Sequence, residues 1–246
     1  MCGRYSLEWD TDELARYFGL SVEAMPRLEP RYNVAPSQPV PVVHVDRDRA
    51  DRRMTLMHWG LIPRWAKDPS IGYRMVNARA ESAATKPAYK AAIRYRRGLL
   101  PAGGFYEWKT ERGGKQPYRF VAADGSPLAL AGLYETWCGP NGEQLDSCTI
   151  LTTDASDIVK PIHHRMPVII TPDAFERWLD PQRVHAHDVA DLLRPLGGDR
   201  LRCHRVSRRL NSPEADDPKL IEPVEAPPPP ASQPPLIPDD GQQQLF

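Results

Sequence analysis

The sequence predicts an α+β fold in a single domain, and three observations lead there. Short runs of β-branched and aromatic residues, bounded by Gly, Pro, Asp and Asn, recur through most of the 246 residues. A few capped helical stretches are scattered among them without the strict alternation of a parallel α/β sheet. No linker-like composition interrupts the chain before residue 222. There it becomes acidic and Pro-rich, so residues 1–221 read as the domain and 222–246 as a disordered, extended tail that cannot form a core.

Each element has a local reason. Asp10-Thr11-Asp12-Glu13 ahead of Leu14-Ala15-Arg16-Tyr17-Phe18, with Gly19 closing, spells a capped short helix. Residues 39–45 and 54–59 have the composition of strands. Residues 80–93 are helical in composition but interrupted by Pro87. Residues 98–101, 118–122, 128–133, 148–153 and 166–170 read as short β segments, 172–179 and 188–193 as capped helices, and 202–206 as a last strand.

Composition narrows the function classes. The 32 basic and 32 acidic residues cancel, but the domain holds every base while four acids sit in the tail, leaving the domain net positive by four. Most of its basic residues are arginine, the side chain suited to bidentate phosphate contact, although arginine abundance also follows from GC-rich coding. Cys2, Cys138, Cys148 and Cys203 show no C-x-x-C spacing, which suits free thiols in a reducing compartment. No signal peptide and no apolar run of about 18 residues are present, so a soluble, cytoplasmic protein is expected.

The second residue carries distinctive chemistry. A small residue after Met1 permits removal of the methionine, which would leave Cys2 with an α-amine and a thiol on adjacent carbons. The amine has an ordinary pKa of about 7.7–8, so a useful fraction is nucleophilic near neutrality. Such a 1,2-aminothiol condenses with an aldehyde and then closes a five-membered ring. The plainer alternative is a small residue at a frayed end.

Four polar clusters recur downstream. Trp59-Gly60-Leu61-Ile62-Pro63-Arg64-Trp65 offers either two core tryptophans or exposed aromatics that stack on bases. Val76-Asn77-Ala78-Arg79-Ala80-Glu81 opens the helical stretch at 80–93. There Asn77 either caps the helix or orients a nucleophile, and Arg79 either pairs in solvent or grips phosphate. Gly103-Gly104-Phe105-Tyr106-Glu107-Trp108 places a carboxylate among aromatics, where burial would raise its pKa toward neutrality. Ile162-His163-His164-Arg165-Met166-Pro167 supplies an imidazole before an apolar strand. His185, His187, Cys203 and His204 lack a four-ligand arrangement and read as structural, so no metal and no cofactor are expected.

Together these segments resemble the SOS-response-associated peptidase (SRAP) family, the abasic-site processing proteins. The matching residues are Met1-Cys2-Gly3-Arg4-Tyr5, Arg31-Tyr32-Asn33-Val34-Ala35-Pro36, Trp59 to Pro63, Asn77 to Glu81, Gly104 to Trp108 and His163 to Pro167, in family order. The resemblance implies a single α+β domain with a mixed, β-barrel-like core flanked by helices and a basic groove for single-stranded DNA. It also implies that Cys2 forms a thiazolidine with the ring-opened aldehyde of an abasic site, a lyase-like cross-linking that shields the lesion. By position, Asn77 would orient Cys2, Glu107 would shuttle protons and His163 would assist sugar ring-opening. Arg4, Arg79, Trp59, Trp65 and Arg165 would face the DNA. One departure is Leu210-Asn211, where the family usually has valine before the asparagine.

Three other classes compete. An N-terminal-nucleophile amidotransferase also begins Cys-Gly, but follows with an aliphatic residue where Arg4 stands here. A cysteine peptidase acting in trans would use Cys2, His163 and Asn77; proteolysis limited to removal of Met1 is the expectation instead. A passive single-strand binder would leave Cys2 without a role. A monomer is expected. Gln242-Gln243-Gln244-Leu245-Phe246 resembles the Gln-x-x-Leu-Phe form of bacterial sliding-clamp-binding peptides at the end of a proline-rich tether, with an inert tail as the alternative.

Overall fold

The computed structural model describes residues 2–45 and 51–225. Its first strands in chain order are β1 (Tyr5–Leu7), β2 (Arg31–Val34), β3 (Pro39–Val45), β4 (Arg52–Trp59), β5 (Asn77–Arg79) and β6 (Arg97–Ala102). They are followed by β7 (Gly104–Glu111), β8 (Gly114–Ala122), β9 (Leu128–Cys138), β10 (Gln144–Asp154), β11 (Arg165–Pro167) and β12 (Leu201–Arg205). The helices α1 (Thr11–Phe18), α2 (Ala80–Ala83), α3 (Ala92–Tyr95) and α4 (Phe175–Leu179) are short.

Five strands close on themselves in the order β10-β4-β3-β6-β9 and back to β10, forming the expected mixed barrel. Every pair in the ring is antiparallel except β4–β10. Closure explains why β6 is buried at all six positions, because one face looks into the barrel and the other is covered. A second sheet, ordered β12-β8-β7-β1-β2, packs beside the barrel. Its Tyr5 and the barrel's Trp59 meet with ring centroids 5.4 Å apart, so one apolar core spans both layers.

Local signals act as the sequence dictates at α1. Asp10 accepts from the Glu13 backbone at 2.8 Å, Glu13 returns a bond to the Asp10 backbone at 3.1 Å, and Gly19 ends the helix at φ 64°. Other expectations need correction. The stretch 80–93 is not one helix: α2 stops after Ala83 and α3 begins at Ala92, with Pro87 between them unable to donate a helical bond. Residues 77–79 do not open that helix but form β5, parallel to β10 with Asn77 opposite Ile150. The expected helix at 188–193 is a 3₁₀ segment, Ala186–Leu192.

After β12 the chain crosses the second sheet as a strap with 3₁₀ turns at Arg208–Asn211 and Pro218–Ile221. It buries Leu210 and Leu220 against Tyr106 and Val206 in a small satellite cluster. Val224 donates to the Arg205 carbonyl at 3.0 Å, so the chain remains attached to β12 beyond residue 221. The rest of the Pro-rich tail, with Gln242, Leu245 and Phe246, lies outside the described residues. Among the described residues no helix is long and apolar enough to cross a membrane.

Candidate active site

Three strands and one loop bring the chemistry together. β1 pairs with β7 through Tyr5 opposite Phe105 and Ser6 opposite Gly104, and the Tyr106 backbone donates to the Arg4 carbonyl at 3.0 Å. This register sets the Cys2-Gly3-Arg4 entry to β1 alongside Glu107 on β7. From the barrel side, β5 presents Asn77, whose Nδ2 donates to the Cys2 carbonyl at 2.8 Å. The loop between β10 and β11 supplies His163, with Nδ1 3.8 Å from Glu107 Oε1. The predicted set Cys2, Asn77, Glu107 and His163 is thus one cluster, although its members are up to 161 positions apart in sequence.

Burial sets its electrostatics. Cys2 is fully buried, and burial first, with the Glu107 carboxylate second, pushes the thiol pKa up. Glu107 is 2% exposed, and burial raises its pKa from 4.5 to about 7. His163 moves the other way: burial lowers its pKa from 6.5, so the imidazole is neutral at pH 7. Its Nδ1 lies 3.0 Å from the Arg165 backbone nitrogen and 3.1 Å from the Arg165 carbonyl, and its ring stacks on His164 at 4.5 Å. Asn77 Oδ1 is buried without a hydrogen-bond partner among the described residues. An acceptor in that position, beside the Cys2 backbone, is matched to a donor close to the chain start.

A cleft of about 570 Å³ opens over this cluster, lined by Arg4, Glu107, Trp108, Thr110, Lys115, His163 and Asn211. Arg4 Nη1 is fixed by Asn33 Oδ1 at 2.7 Å and by the Leu210 carbonyl at 3.0 Å. Trp108 Nε1 donates to Asn211 Oδ1 at 2.8 Å, which holds the indole at the cleft wall. Asn33, Thr110, Lys115 and Asn211 carried no assigned role in the sequence reading. Asn33 had its place in the Arg31-Tyr32-Asn33 segment as a signal and Asn211 its place in the Leu210-Asn211 pair, whereas Thr110 and Lys115 had none.

The residues expected at the DNA separate into two groups. Arg79 is exposed, two residues along β5 from Asn77. Trp65 is 60% exposed and, with Lys67 and Arg74, lines a shallow depression of about 280 Å³; Tyr73, 68% exposed, belongs to the same segment. Trp59 does not belong with them. It is fully buried, its Nε1 donates to the Val76 carbonyl at 2.9 Å, and no face is left for a base. Between the two tryptophans Gly60, at φ 142°, lies so close to Gly72 that a Cβ would sit 2.6 Å from its carbonyl, Leu61, Ile62 and Pro63 stay buried, and the chain reaches the surface only at Arg64 and Trp65. Arg165 is also a correction. Its buried guanidinium grips Glu81 through both Nη atoms at 2.8 and 2.9 Å, and bonds Asp154 and the Thr152 carbonyl. It ties β11 to α2 and β10 and so holds the His163 loop.

A family model described as SOS response associated peptidase (SRAP) matches residues 1–213. Abasic site processing protein YoqW of Bacillus subtilis is 40% identical over 225 residues, which cover 90% of this chain and 99% of that protein. Abasic site processing protein HMCES of Gallus gallus is 35% identical, covering 81% of this chain and 68% of that protein. A crystal structure of a protein from Bacteroides thetaiotaomicron superposes with a TM-score of 0.80 at 26% identity, covering 91% of this chain and 100% of that one.

Proposed function

The chain belongs to the SOS response associated peptidase family, and from that premise we propose that it processes abasic sites in single-stranded DNA by covalent capture at Cys2. The observation that carries this reading is the cluster itself: a buried aminothiol candidate held by Asn77 beside a carboxyl whose pKa lies at about 7. Relatives named for abasic-site processing support it.

The chemistry balances. With Met1 removed, the Cys2 amine adds to the C1′ aldehyde of the ring-opened sugar, and water leaves to give an imine. The thiol then adds to the imine carbon, its proton passing to the nitrogen, and a thiazolidine remains. Ring-opening and dehydration both need a proton at oxygen. Glu107, near half-protonated at neutral pH, is matched to give and retrieve it. His163 is neutral there and acts through its hydrogen bonds and as a proton acceptor, which shifts the acid role toward Glu107. Asn77 Oδ1 is the acceptor available to a freed Cys2 amine. Arg4 and Arg79 contact phosphates, and Trp65 stacks on a base.

The same electrostatics weigh against a peptidase acting in trans. That chemistry needs a thiolate of lowered pKa, whereas burial raises this one. Peptide cleavage is confined to Met1, and the stable adduct shields the lesion during the damage response. Docking of the tail on a sliding clamp through Gln242, Leu245 and Phe246 rests on sequence alone. The test of the central proposal is incubation with single-stranded DNA carrying one abasic site, followed by heating in denaturant. The native protein should give a heat-stable adduct of one protein per strand, Cys2→Ala none, and Cys2→Ser at most a labile imine. Heat-stable cross-linking by Cys2→Ala would overturn the mechanism.

A further inference from the structure

Resting on that DNA-binding reading, we infer that Asn33 is a positioning residue for DNA recognition, acting through Arg4 and the C-terminal strap. β2 is the edge strand of its sheet, and an asparagine there would ordinarily face water. Asn33 is instead 1% exposed. Its Oδ1 accepts from Arg4 Nη1 at 2.7 Å, while its Nδ2 faces the carbonyls of Ala215, Ser212 and Leu210 at 2.7, 3.0 and 3.4 Å. The Leu210 carbonyl also receives Arg4 Nη1, so arginine, amide and strap close a small ring. The amide orientation is fixed by chemistry: flipping it would set an NH₂ against a guanidinium and an oxygen against three carbonyls.

The same edge is clamped from the strap side. Asp216 accepts from the Asn33 backbone at 3.0 Å and from Arg31 Nε at 2.7 Å, and it also takes the Tyr32 backbone N–H. Three segments therefore meet at one side chain, the strap from 177 to 182 positions beyond Asn33, and each leads to the cleft. Arg4 lines it directly, and the strap carries Asn211, which lines it and orients Trp108. An arginine on a flexible stem contributes to phosphate binding in proportion to how little freedom it still has to lose. Asn33 supplies that preorganisation with an uncharged acceptor, which orients the guanidinium and leaves its positive charge for the phosphate. A carboxylate in its place would neutralise the group it positions.

The experiment is a double-mutant cycle in a Cys2→Ala background, which isolates reversible binding from cross-linking. Affinity for single-stranded DNA containing a stable abasic analogue is measured for the parent, Arg4→Ala, Asn33→Ala and the double variant, across a salt series and well below each melting temperature. Asn33→Ala should weaken binding on the order of tenfold and flatten the salt dependence as Arg4→Ala does. In the Arg4→Ala background the same change should cost less than about twofold. Where Asn33→Ala leaves too little folded protein, Asn33→Ser, which keeps an oxygen toward Arg4, carries the cycle and should retain more of the salt dependence. Equal losses with and without Arg4, or an Asn33 variant with the parent's salt dependence, would overturn the inference. Neither result bears on the covalent step, which Cys2→Ala tests separately.

Discussion

Replacing Glu107 with Gln preserves the side-chain shape and removes its proton, which separates two consequences of burying this carboxyl. Burial disfavours the charged form and moves the folded-state pKa from 4.5 to about 7, while the unfolded chain titrates near the ordinary value. Between those values the folded protein holds a proton that the unfolded chain has released, so stability falls as pH rises through the window. The window spans about two and a half pH units at about 1.4 kcal/mol each, or about 3 kcal/mol in all. His163 acts in the opposite sense, because burial makes the folded protein protonate this imidazole less readily than the unfolded chain does, but it does so in the native protein and in the variant alike and drops out of their difference. Glu107→Gln should thus resemble the native protein in stability near pH 4.5 and exceed it by about 3 kcal/mol at pH 8. Urea unfolding at the two pH values measures the difference directly. At pH 7 the variant should form the DNA adduct about 10²–10⁴-fold more slowly, with little change in DNA affinity. A stability difference that is the same at both pH values would refute the argument from burial, and an unchanged rate would remove Glu107 from proton transfer.

Other outcomes follow from the placement of the aromatic and basic residues and from the tail. Trp59→Ala should lower stability by about 3–5 kcal/mol, read as a fall in urea midpoint, because the whole indole leaves the core. Trp65→Ala should melt with the native protein and weaken single-strand binding by about 1–3 kcal/mol, since its ring is exposed. Arg79→Ala should reduce the slope of log affinity against log salt by about 0.7, and an unchanged slope would take Arg79 off the DNA. A peptide covering residues 239–246, titrated against the cognate clamp, should show saturable binding that Leu245→Ala and Phe246→Ala abolish. Its absence at high micromolar peptide would leave the tail without that partner.

The elements legible in the sequence were those with a strong local cause. The box at Asp10 and Glu13 and the αL glycine at Gly19 specify α1 through bonds within three or four residues. The runs at 39–45, 118–122 and 148–153 fall within β3, β8 and β10 because β-branched and aromatic residues fit a pleated, buried surface. β1, β2 and β5 escaped notice because three or four residues carry no measurable period, and their strand conformation comes from the partner they pair with. The 80–93 stretch misled for the opposite reason: helical composition is a weak preference that Pro87 and the β5–β10 pairing override.

The site divides along the same line. By itself the sequence singled out a candidate reactive group, since a cysteine behind an initiator methionine becomes a 1,2-aminothiol once that methionine is removed, and the family resemblance pointed to the carboxyl, amide and imidazole that the fold gathers beside it. What only the tertiary structure decided is exposure and distance. Trp59 and Trp65 are equivalent as letters, yet the packing buries one and leaves the other 60% exposed. Arg165 and Arg79 are both arginines in matched motifs, but nearby carboxylates consume the first. The pKa of Glu107 and the grip of Asn33 on Arg4 depend on strands β2 and β7 and on a strap that joins them from the far end of the domain. Residue type sets which bonds and proton transfers a side chain can make. Desolvation and position, which set their strength, are properties of the packed neighbours, and those neighbours are remote in sequence.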